Sequence, residues 1–278
     1  MRFRELYRKG EEALRTAGVP DASYDALELL CRAFSMDRAV YLARLREEAP
    51  EGGEARYEAL IRRRADREPL QHILGYTEFM GLRFELDRHV LIPRADTETL
   101  TELVLNENPS ARLSVLDLCT GSGCIGISLK KLGGYDEVLC SDVSAEALAL
   151  ARKNAARICG ENGGPSFRLS DMFEHIPESF DLIVSNPPYI RREDIRQLEP
   201  EVREGDPLLA LDGGEDGLDY YRIIAAEAKR HLNEGGRLYL EMGFDQGPAL
   251  EALFREAGFR EVQIIRDAAG LPRIIKAC

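Results

Sequence analysis

From Leu113 to the end of the chain, short β-branched apolar runs alternate with longer stretches of helical periodicity. Runs suited to strands fall at 113–118, 137–141, 166–170, 180–185, 237–242, 259–266 and 272–277. Helical patterns fill most of the gaps, notably 144–158, 217–232 and 247–256. Strands of this kind bury both faces, so the alternation predicts a mostly parallel sheet covered by helices on each side. No internal repeat or low-complexity tract interrupts it.

The first 75 residues follow a different rule. Phe3, Leu6, Tyr7, Leu14 and Ala17 fall at helical spacing, and Gly18 and Pro20 then stop the helix. Tyr24, Leu27, Leu30, Cys31 and Phe34 repeat the pattern. Val40, Tyr41 and Leu45 give a third helix with Asp37 as its N-cap, and Tyr57, Leu60, Ile61 and Arg64 a fourth. Arg62-Arg63-Arg64 reads as the solvated side of that fourth helix. Pro69 to Gly75 reads as a junction. Phe79, Leu82, Phe84, Leu86, Val90 and Ile92 then suggest a β-hairpin over 76–92, turning near Asp87-Arg88. The expected organisation is a helical domain over 1–75, a hairpin linker over 76–92 and an α/β domain over 93–278.

Charge separates the two halves. Residues 1–75 carry 14 basic and 14 acidic side chains, so the net −12 of the chain lies entirely on the remainder. Phosphate neutralisation supplies much of any affinity for DNA or RNA, and an acidic α/β half argues against a nucleic-acid substrate. No apolar run approaches the roughly 20 residues of a membrane span. The mixed-charge N-terminus lacks the apolar core of a signal peptide. The six cysteines, at 31, 119, 124, 140, 159 and 278, form no Cys-x-x-Cys pair, and with four scattered histidines no zinc spacing can be assembled. These features lead us to expect a cytoplasmic protein without a metal.

The first strand of the α/β half runs through Ser114-Val115-Leu116-Asp117-Leu118 into Cys119-Thr120-Gly121-Ser122-Gly123-Cys124-Ile125-Gly126. Glycines there let the backbone turn tightly and approach a ligand. Asp142 closes the next strand, about 20 residues on, where a carboxylate accepts from ribose hydroxyls. The pattern predicts a nucleoside-binding first half of a doubly wound sheet. Gly121-x-Gly123-x-x-Gly126 formally matches a dinucleotide fingerprint. Asp117 weighs against that, because a carboxylate at the strand end repels a pyrophosphate and attracts a sulfonium or an ammonium. Asp-x-x-x-Gly-x-Gly therefore favours S-adenosylmethionine. Ser170-Asp171-Met172, after the third strand, places a second carboxylate where it can accept from an adenine amino group.

A second cluster follows Phe180-Asp181-Leu182-Ile183-Val184. The strand ends in Ser185-Asn186-Pro187-Pro188-Tyr189. Two consecutive prolines donate no N–H and have φ fixed near −65°. Their carbonyls are free to accept, Asn186 adds a side-chain acceptor and Tyr189 a flat ring. Such a slot suits a planar –NH2 group, on a base or a glutamine. It holds no nucleophile and no strong base, so the reacting nucleophile must be the substrate nitrogen. Two further segments look ancillary. In Ile92-Pro93-Arg94-Ala95-Asp96-Thr97-Glu98, Asp96 or Thr97 suits a helix cap with Glu98 favouring the dipole. The acidic span from Pro187 to Gly214 is too long for an ordinary connection and reads as a lid or substrate-contacting loop.

These residues resemble the protein-glutamine methyltransferases that modify peptide chain release factors, the HemK family. Pro69-Leu70-Gln71-His72-Ile73-Leu74-Gly75, Ile92 to Glu98, Asp117 to Gly123 and Asn186-Pro187-Pro188-Tyr189-Ile190 occur in that family's order and spacing. So do Asp216-Gly217-Leu218-Asp219-Tyr220-Tyr221-Arg222 and Glu241-Met242-Gly243. The glycine loop and Asn-Pro-Pro-Tyr are shared with DNA-adenine and rRNA-guanine enzymes; the Pro-Leu-Gln and Ile-Pro-Arg segments make the match specific. Ala95, Cys119 and Met172 depart from the family's usual proline, glycine and aromatic.

The resemblance implies a seven-stranded, mostly parallel Rossmann-like methyltransferase sheet, with a small all-α N-terminal domain that helps hold the release factor. It implies S-adenosylmethionine as donor, leaving S-adenosylhomocysteine, and the glutamine of a Gly-Gly-Gln loop as acceptor. The expected cofactor-binding residues are Asp117, Cys119, Thr120, Gly121, Ser122, Gly123, Asp142, Asp171, Met172 and Asn186. Asn186, Pro187, Pro188 and Tyr189 are expected to bind substrate, with Asn186, Pro187 and Tyr189 acting in catalysis. The competing readings are an adenine-N6 or guanine-N2 nucleic-acid methyltransferase, a nicotinamide-dependent oxidoreductase and a non-catalytic module that retains the fold.

Overall fold

The structure is a computed structural model and describes residues 1–110 and 112–278. The chain divides into two units, one of residues 1–75 with 199–205, the other of 76–198 with 206–278.

The first unit is helical: α1 (Phe3–Thr16), α2 (Ala22–Phe34), α3 (Arg38–Arg44), α4 (Gly53–Ala65) and α5 (Leu70–Leu74). On α1 the buried positions are Phe3, Leu6, Gly10 and Leu14, one stripe at helical spacing. A Cβ at position 10 would collide with the Tyr57 ring of α4, so glycine lets the two helices close up. Asp37 caps α3 by accepting from the Val40 N–H at 2.7 Å. Tyr24 and Val40, read as stripe residues, are exposed. The arginine run divides: Arg62 and Arg63 face solvent, while Arg64 is buried. Arg64 pairs with Asp25 at 2.6 Å and with Glu201 at 3.0 Å. Burial without these partners would be prohibitive, and a charge run by itself does not reveal which member has them. The expected junction at Pro69–Gly75 contains helix α5, closed by Gly75 at φ +77°.

The second unit opens with β1 (Tyr76–Phe79) and β2 (Leu82–Glu85), an antiparallel hairpin. It turns at Met80-Gly81, not near Asp87-Arg88. Both turn residues have positive φ, +53° and +72°, as tight hairpin loops demand. Leu86, Val90 and Ile92, beyond β2, pack in a small cluster with Ala147 and Leu150. The remaining elements are α6 (Ala95–Glu107), β3 (Ser114–Leu118), α7 (Cys124–Ser128), β4 (Glu137–Asp142), α8 (Ala145–Cys159), β5 (Ser166–Leu169) and β6 (Phe180–Ser185). They continue as α9 (Pro200–Gly205, counted with the first unit), α10 (Leu208–Leu211), α11 (Asp219–Glu227), β7 (Leu232–Glu241), α12 (Gly247–Glu256), β8 (Val262–Arg266) and β9 (Pro272–Ala277).

Seven strands form one sheet in the order β5-β4-β3-β6-β7-β9-β8. All neighbours are parallel except β9, which runs antiparallel to both β7 and β8. Alternate residues feed opposite cores, as strand pleating requires. Leu116, Leu118 and Ile183 join Tyr221, Leu250 and Phe254 on one side. Val115, Leu182 and Val184 join Leu100, Val104 and Ile127 on the other. From β3 the chain winds outward through β4 and β5, then returns to place β6 on the other side of β3. Ligand crevices in such sheets open at the carboxyl ends of the strands beside that reversal. Cys119 follows β3 and Asn186 follows β6, so the two motif clusters meet there.

Candidate active site

The glycine loop is held by the two acidic residues that flank it. Cys119, Gly121 and Gly123 all have positive φ, at +58°, +54° and +82°. Asp117 lies at the end of β3, fully buried. Its Oδ2 accepts from the Thr120 hydroxyl at 2.5 Å and from the Gly126 N–H at 2.8 Å, while Oδ1 has no hydrogen-bond partner among the described residues. Burial pushes this carboxyl up to about 7. Asp142, at the end of β4, accepts from the Gly121 N–H at 2.8 Å and the Ser144 N–H at 2.9 Å. Burial raises its pKa as well.

The end of β6 is braced from three sides. The Asn186 side chain donates through Nδ2 to Thr97 Oγ1 at 3.1 Å. The Thr97 hydroxyl donates to Glu241 Oε2 at 2.6 Å, and the Tyr189 hydroxyl donates to Glu241 Oε1 at 3.3 Å. Glu241, the last residue of β7, is buried, and that burial pushes its carboxyl up to about 7. The Tyr189 carbonyl accepts from Gln246 Nε2 at 3.0 Å. Cβ atoms at Gly213 or Gly217 would strike the Tyr189 backbone, so only glycine lets that segment lie against the turn. Asp96 and Thr97 do not cap α6. Its N-cap is Arg94, whose guanidinium has no acceptor for a cap bond, and the Thr97 hydroxyl is committed to Glu241.

Both clusters open into one cleft of about 950 Å³, counted out to its open mouth. Of the loop residues, Cys119, Thr120, Gly121 and Ser122 line it, with Asp142 beside them. Asp171 and Met172 line it after β5, and Asn186 and Pro188 after β6. Asp117, Gly123, Pro187 and Tyr189 are not among the lining residues. Asp117 acts on the loop through Thr120 and Gly126. Tyr189 packs against the core and is tied to Glu241. Met172 has positive φ, +45°, and its Sδ lies 3.9 Å from Cys119 Sγ.

Sequence reasoning missed several members of the wall. In the sequence Thr97 has the ordinary explanation of a helix cap, and Val90 and Leu91 that of a hairpin strand. Pro207, Leu209 and Ala210 come from the span expected to act as a lid or substrate-contacting loop. Glu241 was marked only as part of a family motif, with nothing local to show its partner. Among the described residues, no helix is long and apolar enough to cross a membrane.

The wall fits S-adenosylmethionine better than a dinucleotide. Among the described residues no lysine or arginine lines the cleft, whereas two aspartates do. The Gly121 N–H, which a pyrophosphate would need, is already given to Asp142. Carboxylates suit a ligand rich in hydroxyls, an amino group and positive charge. Val90, Leu91, Ile125, Val143 and Leu209 supply the apolar surface that a purine and methylene groups need.

Comparison with known proteins agrees with this geometry. Residues 5–75 match the family described as the PrmC N-terminal domain, and residues 95–201 the methyltransferase small domain. The structure of a methyltransferase from Pyrococcus furiosus superposes with a TM-score of 0.54 at 19% identity, covering 71% of this chain and 89% of that one. At that identity the likeness is one of fold. A release factor glutamine methyltransferase of Agrobacterium fabrum is 41% identical, over 94% of this chain and 92% of the relative. One of Cereibacter sphaeroides is 42% identical over 100% of this chain and 98% of its own length. At that identity over the whole length, the chain belongs to the release factor glutamine methyltransferase family and is an S-adenosylmethionine-dependent protein glutamine methyltransferase.

Proposed function

We propose that the enzyme methylates the side-chain amide nitrogen of the glutamine in a release factor's Gly-Gly-Gln loop, and that Asn186 and Pro187 hold that amide. The observation that carries the proposal is the place of Asn186. It shares one cleft wall with the glycine loop and Asp142, with its Nδ2 committed to Thr97 and its Oδ1 left to accept. Bound S-adenosylmethionine supplies a methyl carbon activated by a sulfonium. Asp142 and Asp171 hold its hydroxyls and amino group, and Met172 offers a thioether to the purine ring.

An amide nitrogen is a poor nucleophile because its lone pair is delocalised into the carbonyl. The protein's task is therefore alignment. Asn186 Oδ1 and the Pro187 carbonyl accept the two N–H bonds of the glutamine amide and point the nitrogen at the methyl. Positioning of this kind supplies roughly 7–11 kcal/mol in favourable cases. As the nitrogen becomes cationic the same acceptors bind it more tightly, which is transition-state stabilisation. The buried Pro188 keeps the turn rigid, and Tyr189, fixed at its hydroxyl and carbonyl, anchors it. The proton leaves after transfer and needs no side-chain base. The helical unit over 1–75 takes part in holding the release factor. Substrate and enzyme are cytoplasmic and meet without nucleic acid or membrane.

Mass spectrometry of a release factor after incubation with the enzyme and labelled donor tests this. One methyl on the glutamine of the Gly-Gly-Gln peptide is expected. Label elsewhere, or on nucleic acid and not on the peptide, overturns it. Asn186→Ala is expected to cut turnover far more than donor affinity; parallel loss of both removes Asn186 from the assigned role.

A further inference from the structure

Two ends of an asparagine side chain have nearly the same shape and opposite hydrogen-bonding sense. A site that grips an –NH2 group through Asn186 works with only one of the two orientations. Rotation of the amide by half a turn would present a donor to a donor. The structure contains a device that removes this ambiguity, and it lies in residues that do not hold the substrate.

We infer that Thr97 and Glu241 are positioning residues that dictate which atom of Asn186 faces the substrate amide. The inference rests on the proposed role of Asn186. A threonine hydroxyl has one hydrogen. That of Thr97 goes to Glu241 Oε2 at 2.6 Å, a short bond. Toward Asn186, Thr97 Oγ1 then has only lone pairs to offer. Asn186 must meet it with Nδ2, as observed at 3.1 Å, and Oδ1 is thereby turned to the remaining side. The reversed amide would set two acceptors face to face in a wall where Thr97 is only 2% exposed.

Glu241 is itself held in the accepting role. Its other oxygen takes the Tyr189 hydroxyl at 3.3 Å, and its backbone carbonyl takes the Tyr221 hydroxyl at 2.7 Å. Two hydroxyl donors converge on one carboxylate, so neither hydroxyl hydrogen is free to turn toward Asn186. The relay runs from β7 through the first turn of α6 to the end of β6. Three segments far apart in the chain thus agree on the direction of one amide. Placing a reacting group wrongly by about 1 Å costs on the order of a hundredfold in rate, and a flipped acceptor is a comparable fault.

Single-turnover methylation of the intact release factor by the full-length enzyme tests this, with calorimetric binding of S-adenosylhomocysteine as the check on folding. Thr97→Val keeps the shape and deletes the hydroxyl. It is expected to lower kcat by about a hundredfold, with KM for the release factor and product affinity essentially unchanged. Thr97→Ser, which restores the relay, is expected to recover most of the rate. In an Asn186→Ala background Thr97→Val should add nothing further, since the group it orients is gone. Should Thr97→Val fail to bind the product, Glu241→Gln takes its place. Its amide sets an –NH2 donor where one of the two accepting carboxylate oxygens stood, so Thr97 and Tyr189 cannot both keep their bonds, and kcat is expected to fall. The inference is overturned if Thr97→Val or Glu241→Gln turns over at the wild-type rate. Equal losses in the valine and serine variants, or full additivity with Asn186→Ala, overturn it too. If Asn186→Ala stays active, the proposed role of Asn186 fails instead; an inactive Asn186→Ala with a normal Thr97→Val sinks only the relay.

Discussion

The backbone N–H of Gly121 donates to Asp142 Oδ2 at 2.8 Å, tying the glycine loop after β3 to the carboxylate that ends β4. One residue therefore shapes the loop and lines the cleft. Asp142→Asn keeps the size and one acceptor but loses the charge. Hydrogen bonds to charged groups contribute about 1.5–3 kcal/mol. Removal of the charge should therefore weaken S-adenosylmethionine binding by roughly tenfold to a hundredfold. Calorimetry on the full chain checks this, and an unchanged affinity would remove Asp142 from the site.

Cys119 occupies a left-handed conformation, φ +58°, where the family usually has glycine. An L-residue there costs roughly 1–2 kcal/mol, and a β-branched one is a true outlier. Cys119→Gly relieves this strain but surrenders a partly buried sulfur, so its stability should stay near that of the parent. Cys119→Val should be less stable than Cys119→Gly by about 2 kcal/mol or more. Urea midpoints without ligand decide it; equal midpoints would mean that the backbone relaxes out of the left-handed region.

In the helical unit Arg64 is buried between Asp25 at 2.6 Å and Glu201 at 3.0 Å. The arginines beside Glu201 hold its carboxyl down to about 2, with Arg67 the stronger contributor and burial opposing them. A depressed carboxylate contributes stability that is present above its ordinary value near 4.3 and is lost as pH falls toward 2. Removing one partner of a buried pair costs about 3–5 kcal/mol because the other charge is stranded. Asp25→Ala leaves Arg64 its contact with Glu201, so it should destabilise the helical unit by less than that, read by hydrogen exchange at α2 and α4. Glu201→Gln, whose partner remains paired to Asp25, should cost less and flatten the acid limb.

The acidic character of the α/β half predicts weak interaction with nucleic acid. Filter binding to duplex DNA and to single-stranded RNA at about 0.15 M salt should give no saturable signal, since non-specific affinity comes from phosphate neutralisation. Tight binding with a steep salt slope would favour the adenine or guanine methyltransferase alternative.

What could be read from the chain divides by range. The glycine loop and Asp142 were legible because they lie about 20 residues apart and obey a local strand-turn-helix rule. Asn186 was legible because prolines leave few conformations to a strand end. Thr97 and Glu241 were not, since they meet across 144 residues of sequence and a threonine at a helix start already has an ordinary explanation. The hairpin turn falls elsewhere because Met80 adopts φ +53°, which methionine does not advertise, while Asp87-Arg88 does form a turn, with the His89 N–H donating to Asp87 Oδ1 at 2.9 Å, but one beyond β2 that does not join the two strands. Arg64 was misassigned with its two neighbours because the acids that bury it, Asp25 and Glu201, belong to distant segments.

Two fully buried carboxyls should govern stability near neutral pH. Burial lifts both Asp117 and Glu241 to about 7; hydrogen bonds from Thr120 and Gly126 oppose the first, and one from Thr97 the second. Asp96 raises Glu241 further, and Arg273 lowers it. Unfolded, the same groups titrate near 3.9 and 4.3. A folded value above the unfolded one means that the folded state holds the proton more tightly. Their contribution is fully present below about pH 4 and is lost as pH rises through about 7. Each carboxyl can impose a slope of at most about 1.4 kcal/mol per pH unit across that window. Urea unfolding of the full chain between about pH 5 and 8 should show stability falling with pH from these groups. Asp117→Asn and Glu241→Gln remove one titrating group each, so each should flatten the fall. If neither substitution changes the slope, both groups titrate in the folded chain near their ordinary values, and the apolar surroundings assigned to them are wrong.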